Sequence, residues 1–198
     1  DSRLSQLGVL PLVPDENYLF FRSRGDIAFS TRKLSMPELV NLWADKVLGE
    51  AKFAYPKLFI PIEISEKGNS FVEKILRFSA KKIIFINFGV GGNPRKRLEN
   101  DFEYLLLKRL LSERNALIIL DKGFGKEETD RAASICSRLK NDNFNISEMA
   151  SIAENFNGGF SEGLIGVSLG IGEAASLISH SNLYIGYDSA CQHIAAAA

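Results

Sequence analysis

From Lys82 to the end of the chain, short apolar runs alternate with segments of helical periodicity. Residues 83–88 form a nearly continuous apolar run, which is typical of a parallel strand buried on both faces. Residues 116–120 form a second such run, and the segments 99–113 and 127–139 carry apolar residues at helical spacing. The alternation predicts βαβ units: an α/β fold with a Rossmann-like parallel sheet, helices on both faces, and ligands at the carboxyl ends of the strands.

The last sixteen residues continue this alternation. Residues 183–187 are apolar, β-branched and aromatic, the composition of a buried strand. Asp188 and Ser189 stand where this strand should pass into a helix, and both residue types are good helix caps. A helix that starts directly after a strand leaves free N–H groups and a positive dipole end at the edge of the sheet. That geometry suits a phosphate group.

A glycine-rich loop with three cations follows the strand at 83–88. Gly89, Gly91 and Gly92 allow the backbone to approach a ligand closely. The run Arg95-Lys96-Arg97 can neutralise a diphosphate, although three consecutive cations are also typical of a solvated helix start. The loop is not a Walker A loop, because Gly-Lys-Ser/Thr is missing from it. The pattern indicates a phosphate site at this strand end.

Residues 185–196 read Ile-Gly-Tyr-Asp-Ser-Ala-Cys-Gln-His-Ile-Ala-Ala. This string resembles the Asp-Ser/Thr-Gly-x-x-His-Leu/Ile-Ala motif of the heptosyltransferase-like sugar transferases, glycosyltransferase family nine. The family's glycine is Ala190 here, which gives the backbone slightly less room to approach a phosphate. The resemblance implies two Rossmann-like domains in the GT-B arrangement, with the motif in the second, donor-binding domain.

The resemblance also implies roles for two residues outside the motif. Lys96 falls where the family has a donor-phosphate lysine in a Lys-x-Trp-Pro pattern, although the aromatic residue is Leu98 here. We expect Lys96 to stabilise the departing diphosphate. The family's Gly-x-x-x-Glu segment corresponds to residues 123–127, which makes Glu127 the candidate for a hydrogen bond to the nucleotide ribose. By itself, Glu127 is an acid in the first turn of a helix, favoured there by the helix dipole.

Four residues of the terminal motif are candidate donor ligands. Asp188 can accept hydrogen bonds from sugar hydroxyls, or it can act only as a helix cap. The hydroxyl of Ser189 and the backbone amides of Ser189 and Ala190 are expected to bind phosphate. The family counterpart of His193 lies close to the donor phosphates, although a single helical histidine is equally well explained as a structural residue.

The resemblance divides the chain near Ala80. Residues 1–80 are interpreted as a remnant of the N-terminal, acceptor-side domain and its linker, and residues 81–198 as the nucleotide-sugar-binding domain. Within the first part, we predict a helix over 35–48, an extended connector and a helix over 69–78. The chain begins without Met and ends on four alanines with no helix stop signal, so we expect it to be truncated.

Composition excludes several classes of function. Lysine and arginine balance aspartate and glutamate at 24 each, so no net field favours nucleic acid. Two cysteines are too few for a disulfide framework and fit a reducing cytosol. No run of about 18 apolar residues is present, and no His, Cys, Asp or Glu cluster has metal-site spacing. We expect a cytoplasmic protein without a metal or a cofactor, and the family implies a peripheral contact with the inner membrane.

The sequence therefore predicts an inverting, metal-independent glycosyltransferase. It would transfer a sugar from a nucleotide sugar, ADP-heptose in the family, to lipopolysaccharide or another glycan or lipid-linked acceptor. The family's general base lies in the opening segment of the first domain and is not identified in this chain. One alternative is an NAD(P)-dependent oxidoreductase, with residues 170–175 as the Gly-x-Gly-x-x-Ala fingerprint and Asp188 as the ribose acid. Another alternative is a non-catalytic nucleotide-binding domain.

Overall fold

The computed structural model describes residues 56–77, 82–113, 116–153, 160 and 162–198, together with isolated positions between 38 and 49. The chain divides into two compact units, residues 1–56 and 57–198. The helix predicted over 35–48 is described only at isolated positions, and the rest of the first unit lies outside the described residues. The structural findings below concern the second unit.

A five-stranded sheet forms the centre of this unit, and every neighbouring pair of its strands is parallel. The strand order is β3-β4-β2-β1-β5. The predicted α/β fold with a Rossmann-like parallel sheet is confirmed. The strands are β1 (Lys82–Asn87), β2 (Ala116–Asp121), β3 (Ile146–Met149), β4 (Gly163–Val167) and β5 (Leu183–Gly186).

Helices cover both faces of the sheet. Successive residues of a strand point to opposite sides, so a continuous apolar strand gives the sheet two apolar faces, and each of them is buried. Ile83 and Phe85 of β1 pack into one apolar core, whereas Ile84 and Ile86 pack into the other. The first core is closed by α1, α4 and α5, and the second by α2 and α3. The helices are α1 (Ile62–Leu76), α2 (Phe102–Ser112), α3 (Lys126–Asn141), α4 (Ile171–Ser179) and α5 (Ala190–Ala197).

The order of the strands reverses at β1. The chain passes from β1 to β2 on one side, and β5 later pairs with the other side of β1. In open α/β sheets, ligands bind in the crevice outside the carboxyl ends of the strands at such a switch point. Here the two segments at that point are residues 88–101, which follow β1, and residues 187–189, which follow β5.

Two elements differ from their predictions. α1 begins at Ile62, about seven residues before the predicted start, directly after Pro61 at the N-cap. Gly68 interrupts its helical pattern, but an added Cβ there would collide with Ser176 of α4, so the glycine lets the two helices pack closely. β3 was not predicted, because it has only four residues, two of them are the polar Ser147 and Glu148, and only Met149 is buried, as an edge strand tolerates.

The helix α1 belongs to the same compact unit as the sheet, since that unit begins at Lys57. α1 contributes Phe71, Val72 and Ile75 to the first core. The assignment of residues 1–80 to a remnant of another domain stays a prediction. Among the described residues, no helix is long and apolar enough to cross a membrane.

Candidate functional site

Lys96 connects the two segments at the switch point. It ends a short 3₁₀ turn, Pro94–Lys96, which Asn93 caps by accepting a hydrogen bond from the Arg95 amide at 3.2 Å. The Lys96 ammonium donates to the backbone oxygen of Asp188 at 2.7 Å and lies 2.8 Å from its carboxylate. The glycine loop and the terminal motif, 92 residues apart in sequence, are therefore in direct contact.

Tyr187 makes two further contacts between these segments. Its hydroxyl accepts a hydrogen bond from the Leu98 amide at 3.2 Å. Its ring lies 6.0 Å from that of Phe88, in a tilted arrangement, within the range of favourable aromatic pairs. The contacts at Phe88, Lys96 and Leu98 run along the loop, so its position beside β5 is fixed at several points.

The charges at this contact are exposed enough to exchange partners. The Lys96 side chain is 33% exposed and that of Asp188 is 63% exposed. The hydrogen bond and the charge of Lys96 lower the pKa of Asp188, and His193 contributes in the same direction. The His193 Nε2 atom lies 3.9 Å from the Asp188 carboxylate. Lys96, Asp188 and His193, three of the predicted donor ligands, thus share one exposed site.

The start of α5 faces the same site. Ser189 is its N-cap in an extended conformation, and its side chain makes no capping hydrogen bond. The first N–H groups of a helix have no acceptor within the helix, so the backbone at Ala190 has donors for an anion. The Ser189 hydroxyl oxygen is buried and neither accepts nor donates a hydrogen bond among the described residues. Burial also raises the pKa of Tyr184, on the preceding strand, to about 12. The amides of this helix start are therefore better placed for a ligand than the hydroxyl.

The three predicted glycines of the loop have different structural roles. Gly91 and Gly92 have φ angles of +58° and +78°, and an added Cβ would meet nothing within 4 Å. They form an exposed turn that other residues adopt with strain. Gly89 is tightly placed instead: its amide donates to the Asn87 side chain at 2.9 Å, and an added Cβ would lie 2.9 Å from the same oxygen.

Glu127 lies at the start of α3 and forms an ion pair with Arg97. Its side chain is 71% exposed, whereas that of Arg97 is 10% exposed. An exposed carboxylate at this position can reach a ligand. A ligand that binds Glu127 would compete with Arg97 for its carboxylate. The predicted role of Glu127 toward a ribose stays a prediction.

Glu128 is a site residue that the sequence analysis missed. Its carboxylate accepts hydrogen bonds from the amides of Val90, at 3.3 Å, and Phe124, at 3.0 Å, so it joins the loops that follow β1 and β2. Gly123 makes room for it, since an added Cβ would lie 2.5 Å from that carboxylate. The adjacent glutamates gave no signal as to which would face inward.

Beneath Glu128, the ends of β1 and β2 form a buried polar pair. Asn87 and Asp121 are 4% and 6% exposed, and the Asn87 amide donates to the Asp121 carboxylate at 2.8 Å. Burial raises the pKa of Asp121, while hydrogen bonds from Gly123 and Asn87 oppose that shift. The signal for this pair was present in the sequence, because Asn87 interrupts the apolar run at 83–88 and Asp121 directly follows the run at 116–120.

The oxidoreductase alternative requires Asp188 to lie beside residues 170–175. Residues 170–175 follow β4, and β2 and β1 separate β4 from β5. Gly172 packs instead against Ile64 of α1, where an added Cβ would lie 3.0 Å from the isoleucine side chain. This arrangement does not bring the two parts of the dinucleotide fingerprint together.

The described part of the chain offers little support for a metal site or for a cysteine nucleophile. No group of three or more His, Cys, Asp or Glu residues there is arranged to hold a metal ion. Cys136 and Cys191 are buried, and burial raises the pKa of each thiol to about 11. Such thiols are protonated at neutral pH and are poor nucleophiles.

Comparison with protein-family models, with curated proteins and with solved structures found no match to this chain. The resemblance to glycosyltransferase family nine therefore depends on the motif residues alone and stays a prediction.

Proposed function

We propose that residues 57–198 bind a nucleotide sugar at the crevice between the ends of β1 and β5, and act as the donor-binding domain of a glycosyltransferase. One observation carries the proposal: Lys96 joins the glycine loop to Asp188 at the switch point of the sheet. A cation, flexible glycine backbone and a helix start are thereby gathered where α/β proteins bind ligands.

A diphosphate suits this collection of groups. The Lys96 ammonium can transfer its hydrogen bonds from Asp188 to a phosphate oxygen, because both side chains are partly exposed. The helix start at Ala190 supplies N–H donors and a positive dipole end. The exposed turn at Gly91 and Gly92 leaves the backbone open on one side. Asp188, released from Lys96, becomes free to accept from sugar hydroxyls.

The chemistry that follows is inverting sugar transfer. An acceptor hydroxyl attacks the anomeric carbon, the bond from that carbon to the diphosphate oxygen breaks, and negative charge develops on the departing diphosphate. Lys96 and the start of α5 would stabilise that charge, which is a large contribution to catalysis in a preorganised site. The hydroxyl proton passes to a general base, which the resemblance places in the opening segment of the family's first domain and which is not identified in this chain. A heptose donor and a lipopolysaccharide acceptor are the specific forms suggested by the resemblance.

A thermal-shift panel tests the proposal. Nucleoside diphosphates, nucleotide sugars and inorganic diphosphate are added to the whole chain, and a bound ligand raises Tm by mass action. Replacing Lys96 by alanine should weaken binding roughly 10- to 150-fold, the equivalent of a hydrogen bond to a charged group. Lys140→Ala is the matched control, because Lys140 also forms a surface ion pair at 2.8 Å, with Glu148.

The outcomes separate the alternatives. Lys140→Ala should respond as the wild type does. If no ligand raises the Tm of the wild type, or if Lys96→Ala shows the same Tm shift as Lys140→Ala, the crevice is not the binding site. If NAD raises Tm and nucleotide sugars do not, the transferase proposal is wrong. If nucleotide sugars bind but the protein transfers the sugar to none of the acceptors tested, the non-catalytic binding domain is the better interpretation.

A further inference from the structure

Two large apolar side chains are exposed at the carboxyl edge of the sheet, beside the crevice. Phe124, in the loop after β2, is 94% exposed, and Ile171, at the start of α4, is 61% exposed. β2 and β4 are neighbours, and β1 separates β2 from β5. The segments after β2 and β4 therefore each present one exposed apolar side chain, while the exposed pair of Lys96 and Asp188 forms the charged part of the edge at β1 and β5.

The loop that presents Phe124 is held by several hydrogen bonds. The Gly123 amide donates to Asp121 at 3.1 Å, and the Phe124 amide donates to Glu128 at 3.0 Å. At the base of the loop, the Lys122 amide donates to the Val167 oxygen at 2.9 Å, which joins this loop to the end of β4. The backbone beneath Phe124 is thus fixed while its ring projects into solvent.

Phe124 stands between two glycines whose φ angles are +80° and +84°. Left-handed backbone on both sides is costly for other residues, and here it turns the phenylalanine outward. Burying a phenylalanine side chain normally contributes about 1.5–3 kcal/mol to stability. Single exposed apolar residues are common, but this ring is almost fully exposed on a loop whose backbone is held by hydrogen bonds.

The position of Phe124 relative to the charged part of the edge is set by Glu128. One oxygen of its carboxylate accepts from the Val90 amide in the glycine loop, and the other accepts from the Phe124 amide. The two amides are therefore separated by one carboxylate and two hydrogen bonds. In a nucleotide the ribose joins the phosphates to the base, and the exposed Glu127, the residue predicted to bind a ribose, lies on the same helix start as Glu128.

We propose that the ring of Phe124 is the platform on which an aromatic base lies, so that the ligand of the crevice is a nucleotide rather than a base-free sugar phosphate. The inference depends on the proposed function, because it needs phosphates bound at Lys96. Stacking tolerates any base, since every base has a π face. The platform therefore selects for the presence of a base and leaves its identity to other contacts.

Isothermal titration calorimetry on the whole chain tests this inference with adenosine diphosphate, uridine diphosphate and inorganic diphosphate. Phe124→Ala should weaken the binding of both nucleotides by roughly 5- to 150-fold, the range found when a stacked aromatic residue is truncated. It should leave the affinity for inorganic diphosphate unchanged. Phe124→Trp retains a ring and should retain the affinity for nucleotides.

Phe59→Ala is the matched control, because Phe59 is also a phenylalanine that is 90% exposed and its neighbour Leu58 bonds to the end of α5 rather than to its start. Unchanged nucleotide binding in Phe124→Ala overturns the inference, as does an equal loss for nucleotides and inorganic diphosphate. In both of these cases the diphosphate still binds the wild type, so the proposed function survives. If the wild type binds none of the three compounds, the proposed function and the inference both fail.

Discussion

The carboxyl edge of the sheet contains two polar connections of opposite character. Between β1 and β5, the Lys96–Asp188 pair is exposed and links two segments that would contact a ligand. Between β1 and β2, Asn87 and Asp121 are almost fully buried. The exposed connection can exchange a protein partner for a ligand. The buried connection cannot, because neither water nor a ligand reaches it. The comparison indicates that binding and stability are assigned to different sides of β1.

The energies support this division. Exposed ion pairs contribute about 0–1 kcal/mol, because solvent screens them and side-chain entropy opposes them. A buried polar group that loses its partner costs about 1–3 kcal/mol, since water cannot replace the hydrogen bond. Residues of the β1–β5 contact should therefore affect binding, and residues of the β1–β2 contact should affect folding.

The largest effect should come from Asp121→Ala. The substitution removes the acceptor of the Asn87 side chain and of the Gly123 amide, so we expect a loss of about 2–4 kcal/mol in the free energy of unfolding. Urea denaturation followed by circular dichroism measures it. Asp130→Ala is the control, because Asp130 is 64% exposed and pairs with Lys126 on the helix surface. Equal losses in the two variants would remove the distinction between the connections.

Substitutions of two glycines, Gly123 and Gly91, should have an intermediate effect on stability. Both glycines have left-handed backbone. Replacing Gly123 or Gly91 by alanine costs about 1–2 kcal/mol for the conformation alone. At Gly123 the new Cβ also meets the Glu128 carboxylate, whereas at Gly91 it meets nothing. Gly123→Ala should therefore lower the urea midpoint further than Gly91→Ala. If Gly91→Ala lowers the urea midpoint more than Gly123→Ala does, the loop after β1 contributes to stability, contrary to the comparison.

The smallest effect concerns pH and sharpens the comparison through two aspartates. Lys96 lowers the pKa of Asp188 below its ordinary 3.8, and burial raises the pKa of Asp121 above that value. An acid whose folded pKa is lowered contributes stability above its unfolded pKa, and loses that contribution as pH falls through the folded pKa. An acid whose folded pKa is raised destabilises the fold once pH rises above its unfolded pKa, and this penalty is complete above its folded pKa.

Carboxyl NMR titrations measure both values. The pKa of Asp188 should lie below 3.8 in the wild type and should rise in Lys96→Ala, which removes the main cause of the shift. The pKa of Asp121 should lie above 3.8 and should not respond to Lys96→Ala. A shift of Asp121 in that variant would show that the two sides of β1 are electrically coupled, contrary to the comparison.

Much of the fold follows from the sequence alone. The runs at 83–88 and 116–120 are strands within one residue of their predicted bounds, because a doubly buried parallel strand needs an unbroken apolar run. The run at 183–187 is also a strand, but its predicted burial is wrong: it lies at the edge of the sheet, and its residues are half-exposed or exposed. The helices α2 and α3 follow from apolar spacing. The first turns of α1 and the strand β3 do not, since a glycine in a helix contact and polar residues on an edge strand weaken the periodic signal on which such predictions depend.

For the candidate site, the sequence supplied the residue types and the topology supplied the neighbours. Lys96 and Asp188 were both chosen from local patterns, and their contact was determined by β5 pairing beside β1. The selection of Glu128 rather than Glu127 as the less exposed acid, and the outward position of Phe124, depended on the packing of loops after different strands. A local pattern fixes which groups a segment can offer. Contacts between segments distant in sequence arise only when burial of both faces of the sheet brings the strand ends together.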